Sequence, residues 1–338
     1  MNNEAKDNFR QDAGQICVAG AGAIGTTLAL RLASSFEHVS VLARGKTLSA
    51  ILDNGVTLID EAGRHTTPVL AGNAQQLGEQ DIVFLCAKAQ DLVGLAESVQ
   101  PLLHARTIIV PVVNGVPWWY FEDAALGDTG RPALSSDPDG QLRRLLPSEN
   151  VVGTVAMIMA ERRGPGIAQT LNPMKMIVGE IGRSDSDHAK IVAKILNRAG
   201  VQTSVADPLR GALWQKVLIN LASNPLSVVS ESTAQDMCDN PDLVAACHAL
   251  YREGALVAHA YGYDGFDFEQ FMAIARGLGP FKTSMLQDYL SGRILELDAI
   301  CNSVVDLAAH KGLDMPLTKQ IVRLARHKQS LSTRAEAA

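Results

Sequence analysis

The chain is poor in aromatic rings, in paired cysteines and in long apolar runs. Only 5% of its 338 residues are Phe, Trp or Tyr, so a cluster of rings anywhere is a local event. Its five cysteines, Cys17, Cys86, Cys238, Cys247 and Cys301, form no Cys-x-x-Cys pair and no metal-ligand spacing. An odd, dispersed set of this kind argues against a disulfide framework and fits a reducing cytoplasm. No stretch reaches about eighteen consecutive apolar residues, so no membrane-spanning helix is expected. Positive charge is not in excess either. The 30 Lys and Arg against 36 Asp and Glu leave a net charge of −6, with the bases scattered. That argues against nucleic acid or an anionic membrane as the main partner.

What is present is a globular composition, 47% hydrophobic and 20% charged, long enough for about two domains. Residues 1–15 are polar and mixed in charge, without the apolar stretch of a signal peptide, and read as a flexible tail. Residues 331–338 read as a second tail. Between them, short apolar runs at 16–19, 39–43, 82–87 and 107–113 alternate with helix-like segments at 26–34 and 90–103. This alternation predicts a parallel sheet covered on both faces. A polar insertion rich in Gly, Pro and Ser occupies about 122–150, after which strand-like runs resume at 151–159, 167–171 and 174–178. Beyond Pro208 every segment reads helical. The expected organisation is an α/β domain over 16–205 and an all-α domain over 206–330.

The first apolar run opens directly into Gly20-Ala21-Gly22-Ala23-Ile24-Gly25 and then a helix. Strand, Gly-x-Gly-x-x-Gly and helix in that order predict a Rossmann-type dinucleotide site. Gly20 permits the tight turn, Gly22 lets a pyrophosphate approach the backbone, and Gly25 allows close helix–strand packing. The first-turn N–H groups of Ala23, Ile24 and Gly25 then face the phosphates. At the end of the second run, where an NAD site places Asp or Glu, the chain has Arg44, followed by Lys46. A guanidinium pairs with a ribose 2′-phosphate, so the reading favours NADP(H). The bland alternative is a solvated surface arginine.

Three polar constellations stand apart from this loop. Lys216, Asn220 and Asn224 recur every four residues on an otherwise apolar helix, with Pro225 expected to end it. They form either a binding row or a polar seam at a subunit or domain contact. Ser284 to Asp288, followed by Arg293 and Glu296, is either a second cluster or ordinary helix capping. Asn114-Gly115 ends a strand at the edge that faces ligand in open α/β sheets, or is a turn for conformational reasons alone.

In this order, the glycine loop, Ala87-Lys88-Ala89, Asn114-Gly115, Lys216-x-x-x-Asn220-x-x-x-Asn224-Pro225-Leu226, Ser284-Met285-Leu286-Gln287-Asp288 and Glu296 resemble the ketopantoate reductase (2-dehydropantoate 2-reductase) family. The resemblance implies a Rossmann-type domain followed by a helical domain like that of 6-phosphogluconate dehydrogenase. It implies NADPH-dependent reduction of a 2-oxo acid, by default 2-dehydropantoate to pantoate in pantothenate synthesis. Arg44 and Lys88 match positions near the adenosine phosphate, and Asn114 the asparagine beside nicotinamide and substrate. Lys216 matches the catalytic lysine, and Glu296 the acidic partner expected to help set its pKa and orientation. Asn220, Asn224 and Ser284, with Asp288 from the same motif, match substrate-binding positions. No metal is implied. Separately, an all-helical second domain rich in apolar helices suggests a homodimer.

One departure stands out. Val116-Pro117-Trp118-Trp119-Tyr120-Phe121 packs four rings together just after Asn114-Gly115. These rings either line the substrate pocket, suiting a bulkier or more apolar 2-oxo acid, or pack against a second domain or subunit. A paralogue acting on another 2-oxo or 2-hydroxy acid and a non-catalytic NADP-binding regulator are the alternatives carried forward.

Overall fold

The computed structural model describes residues 14–122, 133–181, 186–264 and 267–337. The chain divides into two compact units.

The first unit is built on a five-stranded sheet of β1 (Ile16–Ala19), β2 (Val39–Leu42), β5 (Leu70–Gly72), β6 (Ile82–Leu85) and β7 (Ile108–Pro111). The strands run in the order β5-β2-β1-β6-β7 and every pairing is parallel. All four residues of β1, β2, β6 and β7 are buried, which explains why these strands read as unbroken apolar runs. The intervening helices are α1 (Ala23–Ala33), α2 (Gly45–Asn54), α3 (Ala74–Leu77) and α4 (Leu92–Ser98). The single helix expected over 90–103 is instead α4 flanked by 3₁₀ turns at Ala89–Asp91 and Gln100–Leu102. Pro101 in the second turn has no N–H to continue an α ladder. Because β1 lies between β2 and β6, strand order reverses beside the glycine loop, where such sheets bind ligands.

A second sheet joins β3 (Val56–Asp60), β4 (Gly63–Thr67), β8 (Val152–Gly164), β9 (Ile167–Glu180) and β10 (Gln202–Val205). The three strand-like runs expected after residue 150 are one long antiparallel hairpin, β8–β9, paired from Val152↔Glu180 to Gly164↔Ile167. On its other edge β9 pairs in parallel with β3 near Ile167 and with β10 near Val178. Short α5 (Gln141–Leu145) and α6 (His188–Arg198) complete the unit.

The second unit is helical: α7 (Arg210–Ser230), α8 (Ala234–Asp239), α9 (Pro241–Ala260), α10 (Phe268–Gly277), α11 (Ser284–Leu290), α12 (Ser303–His310) and α13 (Pro316–Ala337). A π-helical turn, Asp298–Asn302, leads into α12. Helix starts carry the expected chemistry. Asn240 accepts the N–H groups of Asp242 and Leu243 ahead of Pro241, and Thr233 with Asp236 forms a capping box. At Gly254 on α9 an added Cβ would come within 2.7 Å of Leu218 and Leu221 on α7, so the two helices approach where no side chain intervenes. Among the described residues no helix is long and apolar enough to cross a membrane.

Three boundaries differ from expectation. The tail at 331–338 is replaced by α13, which continues to Ala337. At the other end, residues 1–13 lie outside the described residues, but Gln15 is not a tail. Its N–H donates to the Asp81 carboxylate at 2.7 Å and its carbonyl accepts from Asp81 and Ile82. The division falls between Leu209 and Arg210, and the helical unit also claims Asn114–Trp118 and residues 133–139 from the inserted region. Residues 123–132 of that insertion lie outside the described residues.

Candidate active site

On the first unit, β1 ends in a loop whose glycines are required for different reasons. Gly20 has φ of +97°, and a Cβ there would sit 2.6 Å from the Cys86 carbonyl oxygen. A Cβ on Gly25 would sit 1.8 Å from the Gly20 carbonyl oxygen. Both positions are closed by the protein's own backbone. Gly22 is different, since a Cβ there meets no protein atom within 4 Å. It is the residue before α1, provides no side-chain cap, and the first turn carries no acid. The N–H groups of Ala23, Ile24 and Gly25 therefore have no acceptor within the helix. Open space in front of unused donors is a cradle that fits a pyrophosphate.

Arg44 follows β2 in extended conformation, exposed, at the start of α2. Its side chain makes no hydrogen bond or ion pair among the described residues, and Lys46 beside it is exposed. Lys88, beyond the end of β6, is half-buried.

On the helical unit, Lys216, Asn220 and Asn224 lie along α7. The helix does not end at Pro225 but runs through it to Ser230. Two hydroxyls support this stretch: Ser223 donates to the Ile219 carbonyl and Ser227 to the Asn224 carbonyl, each at 2.7 Å. Asn220 and Asn224 are buried, and neither Nδ2 finds an acceptor among the described residues. Lys216 is half-buried and likewise unpaired among them. Burial holds its pKa below the ordinary lysine value.

Ser227 also exchanges a 2.7 Å hydroxyl contact with Thr283, whose side chain caps α11 by accepting the Leu286 N–H at 3.1 Å. Half-buried Ser284, the first residue of α11, directly follows Thr283, which meets α7 at Ser227, three residues beyond Asn224.

Asp288 is buried, and its carboxylate accepts a hydrogen bond from Arg293 Nε at 2.8 Å, which ties the turn after α11. One expectation is corrected here. Glu296 is buried at 5% exposure but forms no ion pair with Lys216, whose shift comes from burial alone. Removing a carboxylate from water without that lysine gives no Coulombic route to tune it.

Asn114 belongs with these residues and not with the dinucleotide strand. Gly115 has φ of +90°, and a Cβ there would lie 2.3 Å from the Ala299 carbonyl oxygen. That carbonyl accepts the Val116 N–H at 2.9 Å. Asn114, half-buried and with no hydrogen bond among the described residues, is thus tied to the π turn that follows Glu296. In the ring cluster Trp118, Trp119, Tyr120 and Phe121 are all buried. Trp119 stands 3.0 Å from the Cβ position of Gly153 in the first unit, and Tyr120 meets Phe121 edge to face. Sequence reasoning missed Ser135 and Ser136, whose contacts lie about 170 residues away; no local signal marked them.

A glycine cradle on a parallel sheet, with a lysine and unpaired amides on a helical unit, defines a nicotinamide-dinucleotide oxidoreductase of the Rossmann type. Comparison with known proteins narrows the class. Residues 16–122 match the family described as ketopantoate reductase PanE/ApbA, and residues 208–329 match its C-terminal part. A 2-dehydropantoate 2-reductase of Mesorhizobium japonicum is 31% identical over 315 residues, covering 92% of this chain and 97% of that protein. A Ralstonia solanacearum MolK2 structure, assigned as a ketopantoate reductase, superposes with TM-score 0.87 at 33% identity, covering 94% and 98%. A D-mandelate dehydrogenase solved with NADH and anilino(oxo)acetate shares the fold at TM-score 0.81 and 19% identity, covering 94% and 98%. The chain belongs to the ketopantoate reductase family, oxidoreductases that act on CH–OH groups.

Proposed function

We propose that the protein reduces a 2-oxo acid to the 2-hydroxy acid with NADPH, 2-dehydropantoate being the first substrate to test. The observation that carries this reading is the row on α7, two buried amide donors without acceptors beside a lysine whose pKa is held down. Buried unpaired donors are costly, by about 1–3 kcal/mol each, and a carboxylate or hydroxyl oxygen would satisfy them.

When bound, NADPH supplies the hydride that reduces the carbonyl carbon. Lys216 donates a hydrogen bond to the carbonyl oxygen and then passes its proton to the alkoxide, leaving a neutral amine. Burial assists the transfer because it favours that neutral amine. Asn220, Asn224 and Ser284 hold the carboxylate and hydroxyl ends of the substrate, and Asn114 orients the reacting carbonyl. Glu296 maintains the arrangement around the π turn without pairing to Lys216. Gly20, Gly22 and the first turn of α1 hold the pyrophosphate, while Arg44, with Lys88, pairs with the 2′-phosphate.

A substrate panel with both cofactors tests this. NADPH oxidation with 2-dehydropantoate is expected to exceed NADH oxidation. A preference for NADH would overturn the role of Arg44. An aryl 2-oxo acid belongs in the panel because a mandelate dehydrogenase shares the fold. For assembly, exposed Leu256 and Ile274 on α9 and α10 support a homodimer, which light scattering checks.

A further inference from the structure

The tip of the β8–β9 hairpin carries two adjacent arginines with different surroundings. Arg163 is satisfied within the hairpin: its Nε donates to Gln169 Oε1 at 2.8 Å, and its Nη2 pairs with the Glu161 carboxylate at 3.1 Å. Arg162 is exposed and has no carboxylate partner among the described residues. Its guanidinium instead leaves the hairpin. Nη2 donates to Thr47 Oγ1 at 3.3 Å, across 115 residues of sequence.

Thr47 is the third residue of α2, the helix that Arg44 precedes. The approach of hairpin to helix does not depend on one long side chain. Thr57, just beyond α2, donates its N–H to the Gly166 carbonyl at 2.9 Å, and a Cβ on Gly166 would lie 3.0 Å from Ile51. Thr47 and Ile51 are four residues apart, on one face of α2. The hairpin tip therefore follows that face, with Gly166 at the later turn and Arg162 at the first.

Arg44, the proposed contact for the 2′-phosphate, stands at the same turn. It provides no side-chain cap, and no acid lies in the first turn of α2. Gly45 has φ of +55°, and a Cβ there would meet no protein atom within 4 Å, so the space beside the turn is open. Arg44, Lys46 and Arg162 bring three positive charges to it, and no carboxylate among the described residues neutralises any of them. Like charges repel, and a phosphate bound among them would relieve that repulsion. A guanidinium carries five N–H donors, of which Thr47 engages one.

We propose that Arg162 is a further specificity-determining residue for the dinucleotide, reaching from the second sheet to the adenosine 2′-phosphate and held at the start of α2 by Thr47. Arg44 and Arg162 then grip the phosphate from two different elements, the parallel sheet and the hairpin. This rests on the NADPH reading above. Arg163 supplies the control, because it is the neighbouring residue, carries the same charge and is already paired.

The experiment measures binding without turnover. Fluorescence of the reduced nicotinamide reports the Kd of NADPH and of NADH for the full chain in the absence of substrate, in wild type, Arg162→Ala, Arg163→Ala and Arg44→Ala. Wild type is expected to favour NADPH by about tenfold or more. Arg162→Ala lowers that preference about fivefold by weakening NADPH alone, and Arg163→Ala leaves it unchanged. Unaltered NADH binding by the same sample reports a folded protein. A preference unchanged in Arg162→Ala, or lowered equally by Arg163→Ala, overturns the proposal. If Arg44→Ala abolishes the preference while Arg162→Ala keeps it, the NADPH reading stands and the proposal falls. If the wild type shows no preference, the NADPH reading itself fails.

Discussion

The glycine loop and the α7 row bind by opposite physical logics. At Gly20 and Gly25 the protein's own backbone excludes a side chain, so those residues are needed for the fold with or without ligand. At Asn220 and Asn224 the protein leaves buried donors unused, so those residues are needed only when something else is present. Gly22 belongs with the second group although it sits in the first, because nothing in the protein fills the space beside it. Motif membership therefore does not tell a folding residue from a binding residue. What surrounds the position does.

The largest effect separates chemistry from binding. Lys216→Ala is expected to lower kcat/KM by roughly a thousandfold while thermal denaturation shows a folded protein; near-normal turnover would remove the lysine from the reaction. The paired glycine variants break or sharpen the contrast directly. Gly25→Ala, with 1.8 Å to a backbone oxygen, is expected to lose about 3 kcal/mol or more in chemical denaturation. Gly22→Ala is expected to keep its Tm and weaken dinucleotide binding about tenfold or more by titration. A destabilised Gly22→Ala would mean that the loop is one structural element after all.

Asn224→Leu tests the other side. Asn224 Nδ2 has no acceptor among the described residues, and its Oδ1 has one long 3.5 Å contact from Ser223 Oγ, so the change is expected to leave stability within about 1 kcal/mol while kcat/KM falls about a hundredfold. A variant destabilised by several kcal/mol would show that Nδ2 already has a partner in the protein. Smaller still is Arg44→Ala, expected to raise KM for NADPH about tenfold and leave KM for NADH alone. The pH profile gives the finest discrimination. Lys216 acts as the ammonium, so kcat/KM falls as pH rises through its pKa. With that pKa below the ordinary 10.5, the alkaline limb should appear below this value and vanish in residual Lys216→Ala activity.

Much of this was legible in the sequence where the constraint is local. Buried parallel strands announce themselves as apolar runs, and a strand–glycine–helix turn fixes its own residues. The row on α7 follows from a four-residue spacing. What escaped was set by distant partners. Asn114 looks like the end of a dinucleotide strand because its neighbours are β7; its attachment is a hydrogen bond from Val116 to Ala299, 183 residues away. Pro225 reads as a helix terminus, but the surrounding Ser223 and Ser227 hydroxyls are tied to carbonyls within a helix that continues past it. The ring cluster left two readings open, a pocket wall or packing against a second domain or subunit, since a sequence shows hydrophobicity without showing which way it is buried. Glu296 was expected to set the pKa of Lys216 because the family resemblance pairs them, and here burial alone acts on the lysine.

The mooring of residues 114–118 and 133–139 to the π turn and α12 has a practical corollary for recombination. The helical unit is inherited as three pieces of chain, not one. A chimera that exchanges only the residues from Arg210 onward would take Ala299, Ser303 and Asp306 from one parent. Their hydrogen-bond partners Val116, Ser136 and Ser135 would come from the other. A graft that carries all three segments together keeps each donor with its acceptor.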